Sequence, residues 1–142
     1  MRQSCFILCL AVFSTCLSED GKSAEDRSKE EIQKRLGATK KLKARVSVLR
    51  KEGKFARAIP LAEAVLATQQ RLLGSNNLEV ADSLNSLGEL YHSTGMFKRA
   101  FPLFQQALKV REKFQGKEHA DVLRTQTNIA DLLARSGKLE AA

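Results

Sequence analysis

The sequence predicts an all-α fold, a solenoid of antiparallel helix pairs whose last repeat is incomplete. The first observation is a fixed period, because Gly53, Gly95 and Gly137 follow one another at intervals of 42 residues. The second is self-similarity: residues 53–94 laid on residues 95–136 without a gap give ten identical positions. The third is the helical spacing of apolar residues within each copy. A repeated unit of this length is typical of stacked helix pairs that bury their apolar faces against one another.

Five helices are expected in order along the chain. The first starts near Ile32 and ends before Gly53, a residue that can take the left-handed conformation required at a helix end. The others are expected over residues 54–73, 78–94, 96–115 and 120–136, separated by glycine-containing turns. Because Gly137 stands at the same place in the repeat as Gly53, we expect a turn there as well.

Positive charge is concentrated in one segment. The chain has a formal net charge of +8, and residues 34–57 contain ten basic residues against the single acidic Glu52. The remainder of the chain is close to neutral. The net charge therefore comes from one segment and bears on the partners that this segment attracts. It says nothing about the fold as a whole.

An apolar run stands near the N-terminus. Residues 5–17 are mostly apolar, contain all three cysteines, and lie between a short basic start and a polar flank that begins at Ser18. This arrangement is typical of a secretory signal peptide cleaved after Ser18, and the run is too short to span a bilayer. The alternative is a buried N-terminal helix, and a lipid anchor on Cys16 is disfavoured because residues 13–15 match a lipobox poorly. We predict an exported protein, secreted or periplasmic.

The predicted organisation has three parts. Residues 1–18 form the signal peptide, residues 19–37 a polar lead-in that is disordered or weakly helical, and residues 38–142 the repeat array. Without its signal peptide the chain has no cysteine, so packing alone is expected to stabilise it.

Two stretches of the array carry a family resemblance. Residues 80–91 read Val-Ala-Asp-Ser-Leu-Asn-Ser-Leu-Gly-Glu-Leu-Tyr, and residues 95–103 read Gly-Met-Phe-Lys-Arg-Ala-Phe-Pro-Leu. They resemble the first and second helices of tetratricopeptide repeats (TPRs) of the 42-residue, kinesin light chain-like type. The linker proline of that family is missing, since residues 119–122 read His-Ala-Asp-Val. The resemblance covers residues 38–142 and implies a right-handed solenoid with about two full repeats and a partial third.

The resemblance also implies where a ligand binds. In that family the first helices of successive repeats line the concave side and hold an extended peptide, with asparagines bonding its backbone. The candidate peptide-binding residues in this sequence are Lys43, Arg50, Asp82, Asn85, Glu89, His92, Arg124, Thr127, Asn128 and Asp131. Asn85 falls on the asparagine of the family pattern. The alternative is that these side chains are the solvated polar face of amphipathic helices.

No catalytic constellation is visible in the sequence. His92 and His119 are the two histidines, and neither a glycine-rich phosphate loop nor a metal-spaced ligand set is present. His92 is interpreted as a solvated histidine and His119 as part of a turn. We predict a non-enzyme without cofactor or metal.

The expected partner is a protein or peptide, and the basic segment at residues 34–57 favours an acidic one. Adhesion of the same segment to anionic lipid headgroups is the alternative. Nucleic acid is disfavoured by the export signal and by the scarcity of aromatic stacking residues. A different class of function stays open: a structural array that self-associates end to end through the apolar face of helix 120–136, or a regulatory arm of a larger multidomain protein.

Overall fold

The computed structural model describes the backbone of residues 24–140 and the side chains of residues 25–137. The predicted signal peptide at residues 1–18 lies outside the described residues. Five α-helices make up the described chain: α1 (Ala24–Lys51), α2 (Phe55–Leu73), α3 (Leu78–Ser93), α4 (Phe97–Gln115) and α5 (Ala120–Glu140). The all-α prediction is confirmed. None of these five helices is long and apolar enough to cross a membrane.

The chain divides into two compact units, Met1–Arg35 and Leu36–Ala142. In the first unit the described residues are helical from Ala24 onward, so the expectation of a helix start near Ile32 is wrong. Glu25 and Asp26 lie in the first turn, where negative charge is favourable, and Glu31 pairs with Arg35 one turn later at 2.8 Å. These local charge interactions extend the helix into a segment with little apolar surface.

The second unit contains the repeats. Its helix pairs α1/α2 and α3/α4 are each joined by a glycine turn, with φ of 70° at Gly53 and 76° at Gly95. The residue after each glycine donates its backbone N–H to a carbonyl five residues earlier: Lys54 to Leu49 at 2.9 Å and Met96 to Tyr91 at 2.8 Å. Both turns are therefore Schellman motifs, which confirms the predicted left-handed glycines.

The prediction of a third such turn is wrong. Gly137 lies inside α5, which continues to Glu140, and it is not among the positive-φ glycines. A glycine permits the left-handed conformation of a helix end but does not require it.

The core lies between the helix pairs and depends on small residues. Ala58, Ala100 and Ala107 are fully buried, and they allow α2 and α4 to approach their neighbours closely. Larger apolar side chains such as Leu84, Leu90 and Phe104 fill the remaining space. The linker between α2 and α3 ends at Asn77, whose side chain accepts a hydrogen bond from the Glu79 backbone and caps α3.

Candidate functional site

A row of polar side chains crosses the first helices of the three repeats. Arg50 of α1 donates from Nη1 to Oε2 of Glu89 on α3. Asn85 Nδ2 donates to the other oxygen of Glu89 at 2.7 Å, and Asn85 Oδ1 accepts from Asn128 Nδ2 of α5 at 3.3 Å. We call Arg50, Glu89, Asn85 and Asn128 the polar row. Four of the predicted peptide-binding residues are thus brought together on three different helices.

Asn85 differs from its expected placement. It was predicted to bind a peptide on the concave side, but it is only 2% exposed. Its amide lies between α3 and α5, and it both donates and accepts within the row. A buried amide must satisfy its hydrogen bonds internally, so Asn85 holds the row together rather than facing solvent.

His92 and Asp131 extend the row toward the C-terminal ends of α3 and α5. His92 Nε2 lies 3.2 Å from Asp131 Oδ2, although it makes no hydrogen bond of acceptable geometry within the described residues. Asp131 also pairs with Arg135 on its own helix at 3.1 Å. The carboxylates of Glu89 and Asp131 are partly exposed, at 31% and 47% of their side chains, and can accept hydrogen bonds from a ligand.

The other four predicted residues are not joined to the row. Asp82 accepts a hydrogen bond from Arg111 of α4 at 2.6 Å. Arg124 lies 3.6 Å from Asp121 of its own helix, and Thr127 donates to the Leu123 carbonyl one turn earlier. Lys43 lies on α1 beside a small cavity. These four residues have the helical spacing expected of the candidate site, but in the structure they are not joined to the polar row.

Two buried polar residues connect consecutive repeats and were missed at the sequence level. Gln69 of α2 is 1% exposed and accepts from the Ser83 hydroxyl of α3. One repeat later, Arg111 of α4 is also 1% exposed and donates to Thr125 of α5 at 2.6 Å. Residues 69 and 111 are separated by one repeat, as are residues 83 and 125. The two junctions between repeats therefore have a side-chain hydrogen bond at the same pair of positions, with donor and acceptor exchanged.

Arg111 adds two bonds to this junction. Its Nη1 also donates to the Asp121 carbonyl at 3.2 Å, and its Nη2 donates to the Asp82 carboxylate. A buried guanidinium is tolerated only when its charge and donors are matched. The sequence did contain a signal for this residue, since positions 100, 104, 107 and 111 follow one helical stripe that is apolar until Arg111 interrupts it.

Tyr91 anchors the first repeat to the second. Its hydroxyl donates to Glu63 Oε1 of α2, and the ring lies 5.8 Å from the guanidinium carbon of Arg99. The hydrogen bond to Glu63, together with burial of the phenol, raises the pKa of Tyr91 above its ordinary value of 10.0. The phenol is therefore protonated and bound to Glu63 under ordinary conditions.

The chemistry available at these residues is recognition by charge and hydrogen bonding. Within the described residues no group of three or more histidine, cysteine, aspartate or glutamate side chains could hold a metal ion. The polar row offers the partly exposed carboxylate of Glu89 next to the guanidinium of Arg50, an arrangement that can contact both donors and acceptors of a polypeptide.

Helix pairs repeated every 42 residues and joined by recurring side-chain hydrogen bonds define a helical-repeat protein. The family model of the tetratricopeptide repeat matches residues 38–113, and the chain belongs to this family. TPRs form a non-catalytic repeat module that generally mediates protein–protein interaction. A comparison with curated proteins finds no match to this chain.

Proposed function

We propose that this chain is a non-catalytic module that binds a peptide or protein segment in the concave groove formed by α1, α3 and α5. The observation that carries the proposal is the polar row, which runs across three first helices rather than along one. An extended ligand crossing these helices meets Arg50, Glu89 and Asp131 in succession. Asn85 is buried beneath the surface of the groove. Its proposed role is therefore to hold the neighbouring side chains in place and not to bond a peptide backbone directly.

The basic character of α1 supports an acidic ligand at one end of the groove. Arg50 is 42% exposed and keeps guanidinium donors beyond the one bonded to Glu89. Glu89 and Asp131 favour basic or amide groups further along. The 42-residue period supports the kinesin light chain-like subtype as part of this proposal, and export through residues 1–18 belongs to it as well.

The test is a peptide library displayed on phage and selected on the full chain, followed by affinity measurements on the selected peptide. The double variant Arg50→Ala/Asp131→Ala should weaken its binding by about tenfold or more, because each lost charge-assisted hydrogen bond contributes ~1.5–3 kcal/mol. The matched control is Gln106→Ala/Lys109→Ala, at two exposed positions of α4. An equal loss of affinity in both double variants would show that the peptide does not bind in the groove.

A second function is supported by a cleft at the C-terminal end of the array. Phe97, Phe101, Leu132 and Leu133 line an open space of about 750 Å³ between α4 and α5. Leu133 is 52% exposed, whereas Tyr91, one repeat earlier, is only 5% exposed and lies near Arg99 of α4. We propose that a second copy of the chain covers this cleft, because an exposed apolar surface of this kind favours association.

Sedimentation analysis of the oligomeric state tests whether the chain self-associates through this cleft. Leu133→Glu should shift the chain toward a monomer, while Leu123→Glu should not. Leu123 is a fair control because it is equally exposed on the same helix, at 51%, but does not line the cleft. A wild-type chain that stays strictly monomeric at high concentration contradicts self-association.

A further inference from the structure

Two pairs of side chains join the first helices of consecutive repeats at equivalent positions. Arg50 of α1 pairs with Glu89 of α3, and His92 of α3 lies 3.2 Å from Asp131 of α5. Residues 50 and 92 are 42 residues apart, as are residues 89 and 131. The structure thus uses one place in the repeat twice, once at the junction of α1 with α3 and once at the junction of α3 with α5.

The two pairs differ in the chemistry of the basic side chain. A guanidinium keeps its charge over the whole physiological range of pH, so Arg50 always attracts Glu89. An imidazole gains and loses its proton between about pH 5 and pH 8. His92 therefore attracts Asp131 as a cation only when it is protonated, and the two junctions differ in their dependence on pH.

The surroundings of His92 make its proton important. The side chain is 16% exposed, and its Nε2 atom is buried without a hydrogen bond of acceptable geometry among residues 25–137. A buried polar atom without a partner is unfavourable. Coulomb attraction between an imidazolium and a carboxylate depends on their distance, and 3.2 Å is close enough for it. Protonation therefore gives Nε2 a favourable interaction with Asp131.

Asp131 is the carboxylate that faces His92 from α5. Its Oδ2 atom also lies 3.1 Å from Nε of Arg135 on the same helix. From α4 the neighbour is the ring of Phe97, whose centroid is 5.5 Å from that of the imidazole and which carries no charge. Arg135 is 60% exposed, and an exposed pair within one helix contributes little. Asp131 therefore keeps the capacity to accept a second cation.

Glu89 is the carboxylate one turn before His92 on α3. One of its oxygens accepts from Arg50 of α1, and the other accepts from Asn85 at 2.7 Å. Both oxygens of Glu89 are therefore already bonded. A proton on His92 is thus compensated across the junction, by Asp131 of α5, rather than by a residue of its own helix.

We propose that protonation of His92 controls how tightly α5 is held against α3. In mild acid the imidazolium pairs with Asp131 and strengthens the junction. As the pH rises and the imidazole loses its proton, this attraction is lost and the junction weakens. The junction of α1 with α3 has an arginine at the same place and keeps its strength over this range. The inference concerns the protein without a ligand, so it holds or fails independently of the groove.

One consequence rests on the proposed function, because Asp131 is also a residue of the groove. Its side chain is 47% exposed. A protonated His92 occupies part of the Asp131 carboxylate, whereas a neutral His92 leaves that carboxylate to a basic or amide group of a ligand. The same proton therefore exchanges a contact with a ligand for a contact within the protein.

The experiment is a double-mutant cycle on the full chain, measured by urea unfolding at about pH 5.5 and about pH 8. The cycle compares the wild type with His92→Ala, Asp131→Ala and the double variant, so that contributions common to the four proteins, including that of His119, cancel. The coupling between residues 92 and 131 should change the folding equilibrium constant by at least about threefold at the lower pH and by less than about 1.5-fold at the higher pH. No ligand is needed, so the result is separate from the test of the groove.

The equivalent pair of the first junction supplies the matched control. A cycle on Arg50 and Glu89 should give the same coupling at both pH values, within about 1.5-fold. His92→Arg copies into the second junction the residue that α1 uses in the first. In that background the coupling to Asp131 should persist at about pH 8. Circular dichroism reports the folding of each variant, and His92→Gln replaces His92→Ala in the cycle if the alanine variant does not fold.

The proposal is overturned by any of three results. These are no coupling between His92 and Asp131 at about pH 5.5, the same coupling at both pH values, or a coupling between Arg50 and Glu89 that falls by the same factor as the pH is raised. A coupling that is restored at the higher pH by His92→Arg supports it, because the charge of residue 92 is then the property that changes the junction.

Discussion

The ring of Phe104 lies against the backbone of Gly88 so closely that a Cβ at position 88 would come within 2.7 Å of Phe104 Cε1. This contact joins α3 to α4 inside the second repeat. Because Phe104 is only 1% exposed, its ring has little free space to move away. The corresponding residues of the first repeat are Val46 and Ala62, so the larger residue of the pair lies on α1 there and the smaller one on α2.

Gly88→Ala is expected to destabilise the chain. Overpacking against Phe104 costs ~1–3 kcal/mol, which outweighs or cancels the gain of up to about 1 kcal/mol from replacing a helical glycine. Gly37→Ala is the matched control, because Gly37 is an exposed helical residue with nothing within 4 Å of the added carbon. The free energy of unfolding of this control, measured in urea, should rise by up to about 1 kcal/mol. A stabilised Gly88→Ala would contradict the close packing.

Arg111→Met is expected to lower the free energy of unfolding by ~1–3 kcal/mol, because it removes the bonds to Thr125, Asp82 and the Asp121 carbonyl. Arg111→Gln should cost less, since glutamine at the equivalent position 69 makes the corresponding bond to Ser83. Chemical denaturation of both variants checks the order. If methionine and glutamine cost the same, the hydrogen bonds contribute nothing measurable to the junction.

Stability is expected to fall at alkaline pH through Tyr91. Its pKa in the folded state is raised above the unfolded value, so the folded chain binds the proton more tightly. The resulting stabilisation is fully present below about pH 10 and is lost as pH rises through the folded pKa. Tyr91 is the only tyrosine, so the ultraviolet absorbance of its phenolate reports the titration directly.

Tyr91→Phe is the companion variant for this titration. It should unfold more easily by about 1 kcal/mol at neutral pH, where the bond to Glu63 is lost, and it should lack the contribution of Tyr91 to the alkaline decline. Titration of Tyr91 at or below the ordinary tyrosine pKa would show that the Glu63 bond is absent in solution.

Export is testable on the full-length chain. Expression in a bacterium with a functional secretion pathway should release a protein whose first residue is Glu19, as measured by intact mass. The matched variant replaces Leu10 and Val12 by lysine, which interrupts the apolar run and should keep the uncleaved chain in the cytoplasm. An uncleaved cytoplasmic wild-type chain would contradict the signal peptide.

The sequence was sufficient for the repeat and for the turns at Gly53 and Gly95, because both depend on local and periodic information. Glycines at positions 53 and 95 predict left-handed helix ends wherever a second helix follows. The course of the chain at Gly137 was mispredicted, because the glycine at this place lies inside α5. A glycine at this place in the repeat is therefore compatible with a turn but does not by itself specify one.

The candidate site was harder to predict than the fold. Helical spacing placed Arg50, Glu89 and Asn128 on the first helices, but it could not show that Asn85 lies under its neighbours. Burial of a polar residue depends on how closely two helices approach, and this distance is not encoded in a single helix. Arg111 was missed for the same reason, although its interruption of an apolar stripe was visible.

The most direct test of the account maps the bound peptide on the protein. The peptide selected on the full chain is added to the ¹⁵N-labelled protein, and shifts of backbone amides are assigned to the five helices. The largest shifts are expected on α1, α3 and α5 around Arg50, Glu89 and Asp131. Shifts confined to the exposed sides of α2 and α4 would contradict it.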